Sequence, residues 1–305
     1  MLIFWVLLTM AIALLLIETI LRWRFGLGRP LLYIADPEIG YLPAPHQRTR
    51  RDGRRIVING YGMRGPELTP EPTGARLLLL GDSVANGGWW TDQGRIISAR
   101  LGQQLGLEVL NASANSWGPR NQWAYVARFG LFNAQGVILL LNTDDLFATA
   151  PSPLRVGRDR NYPDRLPWCA LHEVYQRYGR KVKPLPALVA LDQEGGDRVG
   201  KNLTALAQIH TLAQTQGAQF YLAMTPLKRE LKPGKPRDYE LVARDRLTTF
   251  AQTQGIPYCD FLPHFNADPD PHRFYHDHIH LNDAGNGIVT AGLAALWQGD
   301  QAEAG

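Results

Sequence analysis

From Arg76 onward, short unbroken apolar runs alternate with longer segments of helical period, and this alternation constrains the chain more than any other feature. Residues 76–80 (RLLLL), 107–110, 137–141 (VILLL) and 218–224 (AQFYLAM) have the length and continuity of strands buried on both faces. Residues 92–105, 120–134, 198–215 and 238–254 fit helices, three of them followed by Gly106, Gly217 or Gly255. A short fifth strand is expected over 257–261, and Asn282 or Asp283 can cap a last helix running to Trp297. Strands alternating with helices imply right-handed crossovers. The expected fold class is α/β: a three-layer α/β/α sandwich with a mostly parallel, flavodoxin-like sheet. A chain of 305 residues, 45% apolar and 20% charged, is long enough to bury such a core and still carry appendages.

The appendages begin at the N-terminus. Residues 2–17 contain no charge, Thr9 is their one polar residue, and Ile20 and Leu21 extend the run. At ~1.5 Å per residue this run matches a hydrocarbon core of ~30 Å. No basic residue precedes it, and it closes in Glu18-Thr-Ile-Leu-Arg-Trp-Arg24 where a cleavage site would need small residues. A transmembrane anchor over residues 1–24 is expected, with the bilayer as partner through residues 2–21. An extended arm (25–75) follows, then a catalytic-type domain (76–298) and a flexible tail (299–305). Within the arm, residues 55–59 resemble a short strand. Residues 46–55 hold five arginines, which suit either a solvated loop or contact with anionic head groups or an acidic glycan. No zinc-finger, helix-turn-helix or RNA-binding signature accompanies them, so no nucleic-acid partner is expected. Residues 147–196 are proline-rich and break the rhythm, as an insertion over the sheet's carboxyl edge would. Cys169 and Cys259 form no Cys-x-x-Cys motif, which disfavours structural zinc and leaves free thiols or one disulfide open.

Open α/β sheets place their chemistry beyond the carboxyl ends of the strands. Ser83, in Gly81-Asp82-Ser83, stands at such an end, where a serine can expose its hydroxyl and use its own N–H. Near the C-terminus, Asp277 precedes His280 by three residues, a spacing that lets the carboxylate orient the imidazole through Nδ1. His276, His278 and His280 alternate and could share one face of a strand, but no accompanying thiol or carboxylate spacing supports a metal. Neither metal nor cofactor is expected.

Gly81-Asp82-Ser83 after a first strand, with Asp277-x-x-His280 near the end, resembles the first and last blocks of the SGNH (GDSL-like) hydrolase family over residues 76–297. The resemblance implies Ser83 as nucleophile, His280 as base and Asp277 as its orienting acid. It also implies an oxyanion hole from the N–H groups of Ser83 and Gly118 and an asparagine side chain. The family's Gly-x-Asn-Asp reads here Asn142-Thr-Asp144-Asp145, which puts Asp144 where a donor belongs: an ionised carboxylate only accepts, so either Asp144 is held protonated or Asn142 or Asn115 supplies the donor, or the N–H groups of Ser83 and Gly118 serve alone. Trp89, Trp90 and Asn115 are expected to contact substrate. More loosely, the arm stretch 58–65 and the Gly-Gly-Trp-Trp of 87–90 resemble anchored members that modify polysaccharides. The expected function is then a serine esterase acting on acetyl or similar short-chain esters of a glycan or lipid-linked saccharide. The alternatives are an O-acyltransferase on the same scaffold, a non-catalytic glycan-binding or assembly protein, and a phospholipase or thioesterase serving the membrane. Arg22, Arg24 and Arg29 favour a cytoplasmic domain by the positive-inside rule, whereas the expected substrate favours the periplasmic or extracellular side.

Overall fold

In the computed structural model, which describes residues 1–71, 74–181 and 185–304, five parallel strands form the central sheet: β5 (Arg76–Gly81), β6 (Glu108–Ser113), β7 (Gly136–Asn142), β8 (Gln219–Thr225) and β9 (Tyr258–Asp260). Residues 72–73, 182–184 and 305, within the expected arm, insertion and tail, lie outside the described residues. The order β6-β5-β7-β8-β9 is the flavodoxin-like arrangement, whose strand order reverses beside the first strand of the sheet. Side chains alternate across it with the two-residue period of a strand. Leu78, Leu80, Leu139 and Leu141 enter one apolar layer; Leu77, Leu79, Ile138 and Leu140 enter the other. All eight are fully buried, each burial contributing about 1.5–3 kcal/mol.

Helices cover both faces. On one side, α4 (Pro119–Phe129), α7 (Arg198–Thr215) and α8 (Asp238–Gln254) pack through Tyr125, Leu206, Ile209 and Leu247. On the other, α3 (Ile97–Leu105), α9 (Phe261–Asn266) and α10 (Asp283–Ala304) pack through Leu101, Phe265, Val289 and Leu293. The remaining helices are α1 (Leu2–Phe25), the one-turn α2 (Ser83–Asn86), and α5 (Ala170–Val174) and α6 (Pro186–Asp192) in the insertion. Several boundaries differ from expectation, among them the start of α3, which begins at Ile97 behind a separate turn over Gln93–Arg95. β6 continues to Ser113, α4 stops at Phe129 before Phe132 and Asn133 take positive φ, and α10 runs to Ala304 through the expected tail.

The arm differs most. It folds into two antiparallel hairpins, β1 (Tyr33–Asp36) with β2 (Gly40–Pro43) and β3 (Gln47–Arg51) with β4 (Arg54–Ile58). Asp52 and Gly53, both at positive φ, make the second turn, a geometry Asp-Gly favours. Tyr33, Ile39, Tyr41, Leu42 and Met63 join the main core, so the arm is part of the packed body. Three of the five arginines are consumed there: Arg51 pairs with Glu173, Arg54 with Asp52 and Arg55 with Asp92. Arg54 and Arg55 remain solvent-exposed in these pairs, whereas Arg51 is largely buried.

α1 has no buried residue and is apolar and long enough to cross a bilayer. Its far end is held: the Glu18 carboxylate accepts the N–H groups of Ala170 and Leu171 at 2.8 and 3.0 Å, and Gly28 N–H donates to Glu173 at 2.6 Å.

Candidate active site

β5 ends in Gly81, and only a glycine fits there: a Cβ would lie 2.5 Å from that of Ala85 and 3.0 Å from the Leu140 carbonyl. The chain then turns sharply into α2, with Asp82 capping it by accepting Val84 N–H at 2.8 Å. Ser83 is thereby presented at the sheet's carboxyl edge.

Asp277 and His280 come from a tight loop pinned by the Tyr275–Leu281 bridge and by Lys228 N–H on the His278 carbonyl. His280 Nε2 lies 2.8 Å from Ser83 Oγ, and Nδ1 lies 2.7 Å from Asp277 Oδ2. Asp277 Oδ1 accepts the N–H groups of Ile279 and His280 at 2.9 and 2.8 Å. Burial pulls the Asp277 carboxyl upward, but the hydrogen bonds from His280 and Ile279 outweigh it and hold the group at about 2. The ionised carboxylate therefore fixes the His280 tautomer with hydrogen on Nδ1, leaving Nε2 as acceptor.

The loop after α2 wraps this pair. Arg64, fully buried, donates to the carbonyls of Asn86, Gly88 and Thr91. The clamped loop holds Trp90 parallel to His276, 5.1 Å between ring centroids, and 4.3 Å from the His280 ring. The three alternating histidines therefore do not converge on one point: His276 stacks on Trp90, His278 is exposed, and His280 faces Ser83.

Two cavities meet at Ser83, Ser116 and His280. One, about 460 Å³, is walled by Asn121, Asp144, Ser152, Arg155 and Asp192. The other, about 280 Å³, is walled by Tyr33, Trp89, Trp90, Asn115, Tyr162 and Arg177. The expected contacts Trp89, Trp90 and Asn115 thus share a cavity with the nucleophile position, and the insertion supplies walls to both chambers.

The expected oxyanion donors are mostly engaged elsewhere. Gly118 N–H donates to Asn121 Oδ1 at 3.0 Å. Asn142 Nδ2 spends both hydrogens on carboxylates, Asp82 Oδ2 at 2.8 Å and Asp145 Oδ2 at 3.1 Å. Asp144 stands exposed at the rim of the larger cavity, its N–H on Asn142 Oδ1. Burial raises both Asp82 and Asp145, the latter strongly because Asp82 faces it across the Asn142 amide. Sequence reasoning passed over Ser116. It holds a left-handed conformation (φ 58°), borders both cavities, and its hydroxyl bonds Tyr162 Oη at 3.1 Å. Its N–H has no protein partner among the described residues. A non-glycine residue at positive φ was its only available signal, and that is not visible in a sequence.

The description of the GDSL-like lipase/acylhydrolase family matches residues 79–288, more than half of the chain. The chain belongs to this family. Members of this family are lipases or acylhydrolases, which act on ester bonds. Among solved structures, an acylhydrolase from Bacteroides fragilis is similar at 13% identity, covering 76% of this chain and 90% of its own, with a TM-score of 0.47. The acetylxylan esterase Axe2 of Geobacillus stearothermophilus is similar at 15% identity, covering 75% and 96%, with a TM-score of 0.48. A lipase/acylhydrolase from Enterococcus faecalis is similar at 11% identity, covering 74% and 97%, with a TM-score of 0.45. No curated protein matches the sequence.

Proposed function

We propose that this GDSL-like chain is a membrane-anchored serine esterase that removes acetyl or similarly short acyl groups from a glycan or lipid-linked saccharide. The observation that carries the proposal is the hydrogen-bonded series Asp277–His280–Ser83 set between two cavities. Ser83 Oγ attacks the ester carbonyl as His280 Nε2 takes its proton. Asp277 stabilises the imidazolium, and the same proton passes to the departing alcohol. Water, activated by His280, then releases the acyl group and restores Ser83. The N–H groups of Ser83 and Ser116 are assigned to the developing oxyanion; each such donor is worth about 2.7–4 kcal/mol.

The cavity walls favour a short acyl group on a hydroxyl-rich partner. A long alkyl chain would strip water from Asp144 and from the Arg155–Asp192 pair in the larger cavity, whereas sugar hydroxyls would replace that water. This weighs against the phospholipase and thioesterase alternative. The anchor is assigned to α1, because it leaves the body with no buried residue. Two chambers meeting at one serine also favour a second reading, in which a sugar hydroxyl in one chamber takes the acyl group in place of water.

Hydrolysis of p-nitrophenyl acetate by the full chain in detergent, beside Ser83→Ala and His280→Ala, tests the proposal. Activity lost in both variants is expected. Equal activity in Ser83→Ala would overturn it. Adding a soluble saccharide and measuring its acetylation separates hydrolysis from transfer.

A further inference from the structure

The insertion carries a surface that ester hydrolysis does not use. Glu18, the first charged side chain of the chain, caps α5 through Ala170 and Leu171. The segment around α5 therefore lies beside the point where the uncharged run of α1 stops. Four large side chains project from it into solvent: Leu166 (56% exposed), Trp168 (91%), Tyr175 (61%) and Tyr178 (78%). Burying such side chains in the core is the norm, and a cluster of them left out implies a surface that covers it.

The same segment is basic. Arg158, Arg160, Arg165 and Arg180 are exposed, and with Arg177 they edge a groove of about 210 Å³ that also contains Leu166 and Trp168. Three acids share this groove. Glu173 is buried between Arg51 and Arg177, at 2.6 and 2.7 Å, and Asp159 caps Asn161 N–H. Asp164 lies 3.3 Å from Arg165. Arg177 is paired with Glu173, and the other four arginines against Asp159 and Asp164 leave the rim positive.

Amphipathic aromatic rings beside arginines are the composition that a bilayer's interface selects: the rings lie at head-group depth while guanidinium groups meet phosphates. Continuity with α1 commits the occupant. From Glu18 to Phe25 the helix advances only ~10 Å, so a surface docked at Glu18 lies at the level where the span leaves the hydrocarbon. We propose that residues 157–181 form a membrane-surface contact that binds anionic phospholipid head groups beside the anchor. The proposal rests on the anchored reading of α1.

The test reconstitutes the full chain into nanodiscs of phosphatidylcholine, with or without phosphatidylglycerol. Co-elution with the discs reads the anchor, and amide hydrogen exchange over 157–181 reads the surface. Exchange there is expected to slow roughly tenfold with phosphatidylglycerol, since each arginine near an anionic surface contributes roughly fivefold in affinity. The combined variant Arg158→Gln, Arg165→Gln, Arg180→Gln is expected to lose that slowing while keeping wild-type exchange in α3, α7 and α8. Co-elution with equal exchange in both lipids, or slowing that persists in the variant, would overturn the surface alone. Failure to co-elute would overturn the anchor and the surface with it.

Discussion

Trp90 lies against His280, ring centroids 4.3 Å apart, and is also stacked parallel to His276. The indole is the wall that limits how far the imidazole can swing from Ser83. Trp90→Ala is therefore expected to lower kcat by about 10²-fold, the scale of a ~1 Å misplacement of a reacting group. KM for a small ester such as p-nitrophenyl acetate should change little, and Trp90→Phe should recover most of the rate. Steady-state kinetics on the three proteins checks this.

Asp277 contributes orientation and charge, not a proton. Asp277→Asn would present a neutral amide to Nδ1 and favour the wrong tautomer, with a loss in kcat of about 10⁴-fold. Ser83 and His280 would be chemically intact, so the loss should fall on kcat with KM nearly unchanged. Pre-steady-state acylation would localise it to the first step.

Asp145 gives the protein a pH dependence of stability. Burial, then repulsion from Asp82, lifts its carboxyl well above the ordinary value of 3.8. Between those two values the folded protein holds a proton that the unfolded chain has released, so stability falls as pH rises. Asp145→Asn removes the titrating group while keeping an acceptor for the Asn142 N–H groups. Its melting temperature, measured from pH 4 to 8, should fall less steeply with pH than that of wild type. A variant with the wild-type slope would show that Asp145 is ionised in the fold.

Arg64 satisfies three backbone carbonyls from one guanidinium, and burial pulls its own pKa down to about 10. Arg64→Leu would leave those carbonyls unpaired, at about 1–3 kcal/mol for each that water cannot reach. Loss of at least about 3 kcal/mol is expected by denaturant unfolding. Arg64→Lys, a point charge with no planar fork, should recover only part of it.

The strands, the three-layer arrangement and the positions of Ser83, Asp277 and His280 were legible because each depends on local pattern. Four consecutive leucines before Gly81 suit a strand with both faces covered, and a three-residue spacing lets Asp277 reach Nδ1 of His280 within one loop. The arm was harder to read. QRTRR has no apolar alternation, although Asp52-Gly53 did carry a hairpin signal. The oxyanion donors were illegible for a different reason. Whether Gly118 N–H and the Asn142 amide are free depends on Asn121, Asp82 and Asp145. Of these, Asp82 lies sixty residues from Asn142. Spacing along a chain names candidates for a donor, but only the three-dimensional partners decide which N–H is left over.

The docking of Glu18 onto Ala170 and Leu171, joined by Gly28 N–H on Glu173, has a geometric consequence. A helix tethered by a slack linker would let Ser83 sample a wide shell of heights above a bilayer. Here the last turns of α1 are fastened to the insertion that walls both cavities, so with α1 in a membrane the protein would work as a ruler. With α1 in a membrane, Ser83 would reach esters at one fixed stand-off from the lipid surface, and substrates would be sorted by how far their acyl groups stand from it.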